Sequence, residues 1–143
     1  MFKDHFTNVN FNIVLVNNFT IGSFFKYKDR IPSAMQASLV YKYRCSLCDS
    51  QYVGSTIRTL ATRVAEHSGR SYRSGDFLPH PPHSSVRLHA TQCDVPVKLD
   101  NFSIIGSSNN SFELRILESL HIFRDKPSLN ESQSAFPLLL VNV

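Results

Sequence analysis

No apolar run in this sequence approaches the roughly 18 residues that a bilayer-spanning helix needs, so a membrane protein is not expected and a soluble one is. The opening MFKDHFTNVNFNIVLVNN lacks a basic stretch followed by a long apolar core and a small-residue cleavage site, so no secretory signal is expected either. The thiols are therefore placed in a reducing, intracellular compartment. Cysteine is scarce: there are three, an odd number, which speaks against a secreted disulfide framework. In a reducing compartment the Cys-x-x-Cys of Cys45 and Cys48 points instead to zinc or a redox pair, and the βαβ context of a thioredoxin-like redox pair is missing. Internal repeats are absent, and 143 residues is the size of one domain.

What is present is ordinary in bulk, with 42% hydrophobic and 18% charged residues. A net charge of +4 and a pI near 9.1 permit a polyanionic partner. The charge is concentrated in the middle of the chain. Between Ser38 and Cys93 stand seven basic residues (Lys42, Arg44, Arg58, Arg63, Arg70, Arg73 and Arg87) against three acidic ones (Asp49, Glu66 and Asp76). Taken alone, such an excess is a solvated face more often than a binding surface.

Residues 1–36, rich in Asn, Phe and Lys, carry no sustained period and read as an extended lead-in. SLVYKYRC (38–45) and SQYVG (50–54) are β-branched and aromatic around the CSLCD turn, which predicts an antiparallel hairpin. TIRTLATRVAEHSG predicts an amphipathic helix with Leu60 and Val64 inward and Gly69 as its stop. On another stripe of that helix Thr59, Arg63 and His67 recur every four residues. Residues 68–83 are too rich in Ser, Gly and Pro for regular structure. SSVRLHATQC follows as a short helix opened by a serine cap, and NFSIIGSS as a strand. SFELRILESLHIF closes the series as a helix begun by Ser111, with Phe112, Ile116, Leu117, Leu120 and Phe123 expected to face the core. The order β-β-α-loop-α-β-α predicts a small α/β domain with a three-stranded, mostly antiparallel sheet flanked by helices. It spans residues 37–132, and SAFPLLLVNV, within an apolar tail at 133–143, is expected to dock as an edge strand or arm.

The hairpin, the arginine-bearing helix and the glutamate-bearing helix, taken in that order, resemble the GIY-YIG endonuclease family. The GIY element stands here as Leu39-Val40-Tyr41 and the YIG element as Tyr52-Val53-Gly54, with the tyrosines eleven positions apart; Leu39 replaces the first glycine. The resemblance maps the family's arginine onto Arg63, the histidine one turn later onto His67, the metal-binding glutamate onto Glu118, and the asparagine that closes the core onto Asn130 in KPSLN. More narrowly, LVYKYRCSLCDSQYVGSTIRTLATRVAEH with its flanks is similar to the C-terminal endonuclease region of Penelope-like retroelements, over roughly residues 18–140. In those elements the domain follows a reverse transcriptase, and a cysteine pair between the two strands forms half of a zinc site. No reverse transcriptase motif is present in this sequence, and residues 1–36 correspond to the region that joins the two domains.

The resemblance implies a metal-dependent DNA endonuclease, intracellular and nuclear, that nicks target DNA so that the exposed 3′ hydroxyl primes reverse transcription. DNA would be its partner, beside a reverse transcriptase domain or retroelement RNA. Tyr41 would be the water-activating base, provided that Arg63 and the metal lower its phenol pKa. Arg63 would grip a phosphate oxygen, and Tyr52 and His67 would orient water or relay a proton. Glu118 would hold one Mg²⁺, a hard ion that keeps most of its waters. Gly54, Arg58, Arg70, Arg73, Arg87 and Asn130 are the candidate nucleic-acid contacts.

Cys45 and Cys48 form the knuckle that zinc uses, and two further ligands are needed. His89 and Cys93, four apart on the short helix, point the same way, so a structural zinc site of Cys45, Cys48, His89 and Cys93 is expected in the turn of the first hairpin. The retroelement relatives generally complete the site with histidines, which makes His83 or His80 the competing choice to Cys93. Two other readings stand beside the nuclease: a zinc-stapled module that binds nucleic acid without cutting, and an inactive retroelement remnant.

Overall fold

Every residue of Leu39–Arg44 (β1) except the last has at most partial exposure, because β1 is the middle strand of the sheet and both of its faces are covered. The computed structural model describes residues 30–130. The expected lead-in up to residue 29 and the apolar tail at 133–143 lie outside them. The chain divides into two units, residues 1–30 and 31–143, and everything below concerns the second. Within it the expected element order is found: β1, β2 (Gln51–Thr56), α1 (Leu60–His67), α2 (Ser85–Gln92), β3 (Phe102–Ser107) and α3 (Ser111–Asp125). Both strand pairs are antiparallel, in the order β2-β1-β3. The result is a small α/β domain.

The period of two along β1 sorts its side chains to two cores. Leu39, Tyr41, Tyr43 and Cys45 join Tyr52, Leu60, Val64, Val86 and Phe102 under α1 and α2. Val40 joins Val53 and Leu114 on the opposite face, under α3. Also on β1, Lys42 reaches the last residue of α3 through an ion pair with Asp125 at 2.6 Å. The tyrosine spacing is read out by the register: Tyr41 lies opposite Gly54, and Tyr43 opposite Tyr52.

Each helix near the candidate site is started by a side chain that satisfies a free N–H. Thr59 Oγ1 accepts from the backbone N–H of Thr62 at 3.3 Å and opens α1. Ser84 Oγ accepts from that of Arg87 at 3.2 Å and opens α2. At α3 the cap is Asn110, whose Oδ1 accepts from Phe112, and not the expected Ser111. The expected core face of α3 is also corrected. Leu117 packs against the core as expected, but Phe112, Leu120 and Phe123 are 56%, 41% and 64% exposed, while Leu114 and Ser119 are buried with Ile122 packed beside them. Apolar residues surround this helix on most sides, so its sequence offered more than one stripe and the sheet selected another.

After α3, Lys126 turns left-handed (φ 45°) and Pro127 prevents continuation. The chain then doubles back to β2. Ser128 Oγ accepts from the N–H of Gln51 at 3.3 Å, and Asn130 bonds both backbone groups of Val53, at 2.9 and 2.8 Å. No helix among the described residues is long and apolar enough to cross a membrane.

Candidate functional site

Four of the five residues expected to be catalytic meet on the α1 side of the sheet. Arg63 and His67, one turn apart on α1, both reach the Tyr41 hydroxyl: Arg63 Nε donates to it at 2.9 Å, and His67 Nε2 lies 2.8 Å from it. The Tyr52 ring stands 6.3 Å from the Tyr41 ring and 5.7 Å from that of His67, centroid to centroid. This convergence follows from the helical stripe of Arg63 and His67, which α1 lays across the two tyrosine-bearing strands.

Glu118 is placed differently. It belongs to α3, and its carboxylate accepts from Ser55 Oγ at 2.6 Å. No hydrogen bond joins it to the tyrosine cluster among the described residues, but it is near enough for its charge to push both phenols upward. Ser55, next to Gly54, had not been singled out in the sequence. A serine flanking the YIG element carries no spacing signal of its own.

Electrostatics in the cluster are dominated by burial. Tyr41 is fully buried, and desolvation drives its phenol well above the ordinary tyrosine value, outweighing the downward pull of Arg63. Tyr52 is raised for the same first reason. His67 is pushed down to about 3, by burial first and then by the charges of Arg63 and Arg87, so its ring is neutral at physiological pH. Arg63 covers the Tyr41 hydroxyl with its own side chain 25% exposed, and its Nη1 pairs with Glu66 at 3.1 Å. As it stands, the outermost functional group of the cluster is the guanidinium.

The expected nucleic-acid contacts separate into distinct places. Arg58 shares the Glu66 carboxylate with Arg63 and, with Arg115, lines an open groove of about 520 Å³ floored by Ser55, Thr56 and Leu114. Arg115 makes no hydrogen bond or ion pair among the described residues, and it too had not been singled out as a contact. Arg70 stacks on the Phe77 ring at 3.9 Å and borders a second groove with Arg87, whose Nη1 is buried without a partner. Arg73 stands exposed on the intervening loop.

Two of the expected contacts are corrected. Asn130 is buried with both amide atoms engaged by Val53, so it clamps the core and presents nothing to a nucleic acid. Gly54 is buried opposite Tyr41, and a Cβ there would come within 2.7 Å of the Tyr41 hydroxyl and 2.8 Å of Tyr52. Its role is to make room for the tyrosines.

The expected metal ligands come together. The ligand atoms of Cys45, Cys48, His89 and Cys93 all lie within 4.8 Å of one another. Cys48 Sγ is 3.2 Å from His89 Nε2 and 3.6 Å from Cys93 Sγ, and Cys93 Sγ is 3.4 Å from the same nitrogen. A tetrahedral zinc with its ordinary bond lengths separates its donor atoms by roughly 3.5–3.8 Å, so this Cys₃His group could hold a zinc ion. The Ser50 hydroxyl and backbone pull the Cys48 thiol down to about 6, which favours the thiolate that a metal binds. His80 and His83 are exposed in the loop and do not join the group.

No family model matches this chain, and no solved structure matches it. Over 96 residues, 67% of its length, it is 31% identical to Uncharacterized protein 019R of Invertebrate iridescent virus 6. The match covers 32% of that viral protein, so the chain spans about a third of the length of the relative.

Proposed function

We propose that this domain is a metal-dependent DNA endonuclease of the GIY-YIG type, stapled by a structural zinc at Cys45, Cys48, His89 and Cys93. The observation that carries the reading is the convergence of Arg63 and His67 on the Tyr41 hydroxyl, with Glu118 across β2 from them. Phosphodiester hydrolysis requires charge to be neutralised as it builds on the phosphoryl oxygens and a proton to be taken from the attacking water. Arg63 is the group for the first task, since its planar fork is always charged and stands outermost. In moving to a phosphate it would exchange the Glu66 carboxylate for the substrate, while Arg58 and Arg115 would line the path of the flanking strand. Tyr41 is the group for the second, and exchange of Arg63 would also uncover its hydroxyl. Glu118 would hold a Mg²⁺, supplying Lewis-acid stabilisation of the leaving oxygen. By the resemblance, the DNA would be a retroelement target in the nucleus and the nick a primer for reverse transcription.

Nicking of supercoiled plasmid in Mg²⁺ by the zinc-loaded protein tests this, run beside Arg63→Ala and Glu118→Ala. Loss of nicking in both variants is expected. Wild-type protein that leaves the plasmid intact, or nicking that survives both substitutions, would overturn the assignment. One observation favours a second reading, a non-cutting nucleic-acid-binding module: Tyr41 has no exposed surface. That reading predicts salt-sensitive DNA binding, unaffected by Glu118→Ala, in a protein that never nicks.

A further inference from the structure

Two arginines border one groove, and neither has a counter-charge. The groove, of about 580 Å³, is bounded by Ser68 at the end of α1, by α2 and by the residues that follow α2. Ser84 ties the two helices together there: its Oγ caps α2 by accepting the N–H of Arg87 at 3.2 Å, and it lies 2.7 Å from Nδ1 of His67, the last residue of α1. Gly69, left-handed at φ 71°, lets the Arg87 side chain lie against the turn after α1, since a Cβ there would come within 3.2 Å of Nη1 and 3.3 Å of Cδ. That nitrogen is buried without a hydrogen-bond partner, and neither Arg87 nor Arg70 forms an ion pair among the described residues. Asp94 is the one acid on the lining, so the groove keeps a positive charge.

The rest of the lining is apolar and includes an open aromatic face. Ala90, Val95 and Val97 line the groove beside Phe77. Phe77 is paired to Arg70 through an antiparallel bridge, and the loop between them is closed by Ser71 N–H donating to the Asp76 carbonyl at 2.8 Å. The Arg70 guanidinium covers one face of the Phe77 ring at 3.9 Å, yet Phe77 is 71% exposed, which leaves ring surface for another stacked plane.

Uncompensated guanidinium groups recruit an anion, and an apolar groove with an exposed ring recruits a flat apolar body. A nucleotide offers both at once, but only when its base is unpaired, because a duplex keeps its bases stacked inside and presents phosphates alone. We propose that this groove binds an unpaired nucleotide of a single-stranded nucleic acid, with the base stacked on Phe77 and the phosphate held by Arg70 and Arg87. The groove stands at the C-terminal end of α1, whereas the groove of Arg58 and Arg115 stands at its N-terminal end, roughly 12 Å away along eight helical residues. In the nuclease reading it is a place to hold a strand displaced beside the nick. The inference rests on nucleic-acid binding, which the nuclease and the non-cutting readings share, and not on cutting.

The sequence contains no tryptophan, so Phe77→Trp places a single fluorescent reporter in the groove at an exposed position. The zinc-loaded variant is titrated, without Mg²⁺, with single-stranded oligothymidylate, with a duplex of the same length and with heparin. Stacking of a base on the indole should quench its fluorescence with the single strand and leave it unchanged with the duplex and with heparin. In the otherwise native protein, Phe77→Leu keeps an apolar side chain but no ring face, and it should weaken binding of a labelled single strand on the order of tenfold by anisotropy. Single-strand binding without quenching, no binding of the single strand, equal quenching by duplex or heparin, or undiminished binding in Phe77→Leu would each overturn the site. Plasmid nicking by wild type is read separately. No nicking with the quench as expected counts against the nuclease reading alone, and nicking without the quench counts against the groove alone.

Discussion

Gly54 and Tyr41 face each other across β2 and β1, and the space that a Cβ on Gly54 would need is already filled by the Tyr41 hydroxyl at 2.7 Å and Tyr52 Cε1 at 2.8 Å. The Tyr41 ring is not free to retreat, since it is gripped by Arg63 and His67. Gly54→Ala is therefore expected to cost about 1–3 kcal/mol in stability, as overpacking does, and to abolish nicking at temperatures where the variant is still folded. Urea unfolding beside the plasmid assay measures both, and a variant as stable and active as wild type would contradict the packing described.

Acid should act through His67. Its folded pKa, about 3, lies below the ordinary 6.5, so between those values the unfolded chain binds a proton that the folded one refuses. Its contribution to stability is thus complete above about pH 6.5 and is lost as the pH falls toward 3, at up to about 1.4 kcal/mol per unit. Urea midpoints at pH 7, 6 and 5 should fall more steeply for wild type than for His67→Gln. Parallel profiles would mean that the ring is not buried in its neutral form.

Removing metal should unfasten the hairpin turn from α2, because Cys45 and Cys48 belong to the turn while His89 lies in α2 and Cys93 caps its end. Elemental analysis should find about one zinc per chain. Chelation, or Cys93→Ser, is expected to lower the melting temperature by on the order of 10 °C or more, equivalent to about 2–3 kcal/mol for a domain of this size. An unchanged melting temperature in chelator would show that the cluster holds no structural ion.

Arg115 should behave as a phosphate contact. Replaced by alanine, it should weaken binding of a non-cleaved DNA uniformly across sequences and reduce the slope of log K against log salt by about 1. Arg73→Ala, on the separate loop, provides the comparison. Equal slopes for wild type and Arg115→Ala would remove the groove from the proposed path.

Elements carrying a local period were legible in the sequence. The tyrosine hairpin announces itself by alternation, α1 by Leu60 and Val64, and the metal cluster by two pairs of ligands at fixed spacing, to which the fold only had to add proximity. The face of α3 was not legible, because Phe112, Leu120 and Phe123 are as apolar as the Leu114 that the sheet buries. Nor was the pairing of Ser84 with His67. That contact spans 17 residues and a loop, and the sequence marks Ser84 only as a cap. Asn130 was visible as a closing residue, but its partner Val53 lies 77 positions away.

That clamp has a consequence for how the molecule meets its own copies. With the order β2-β1-β3, β2 is an edge strand, and its outward N–H and C=O groups would be a template for pairing with another chain. Ser128 and Asn130 occupy them instead, at Gln51 and Val53, so that a side-chain amide stands in for a fourth strand. The residues after Pro127 thus act as a guard against self-association. Ending the chain before Ser128 would leave the tyrosine hairpin with an open, aggregation-prone border.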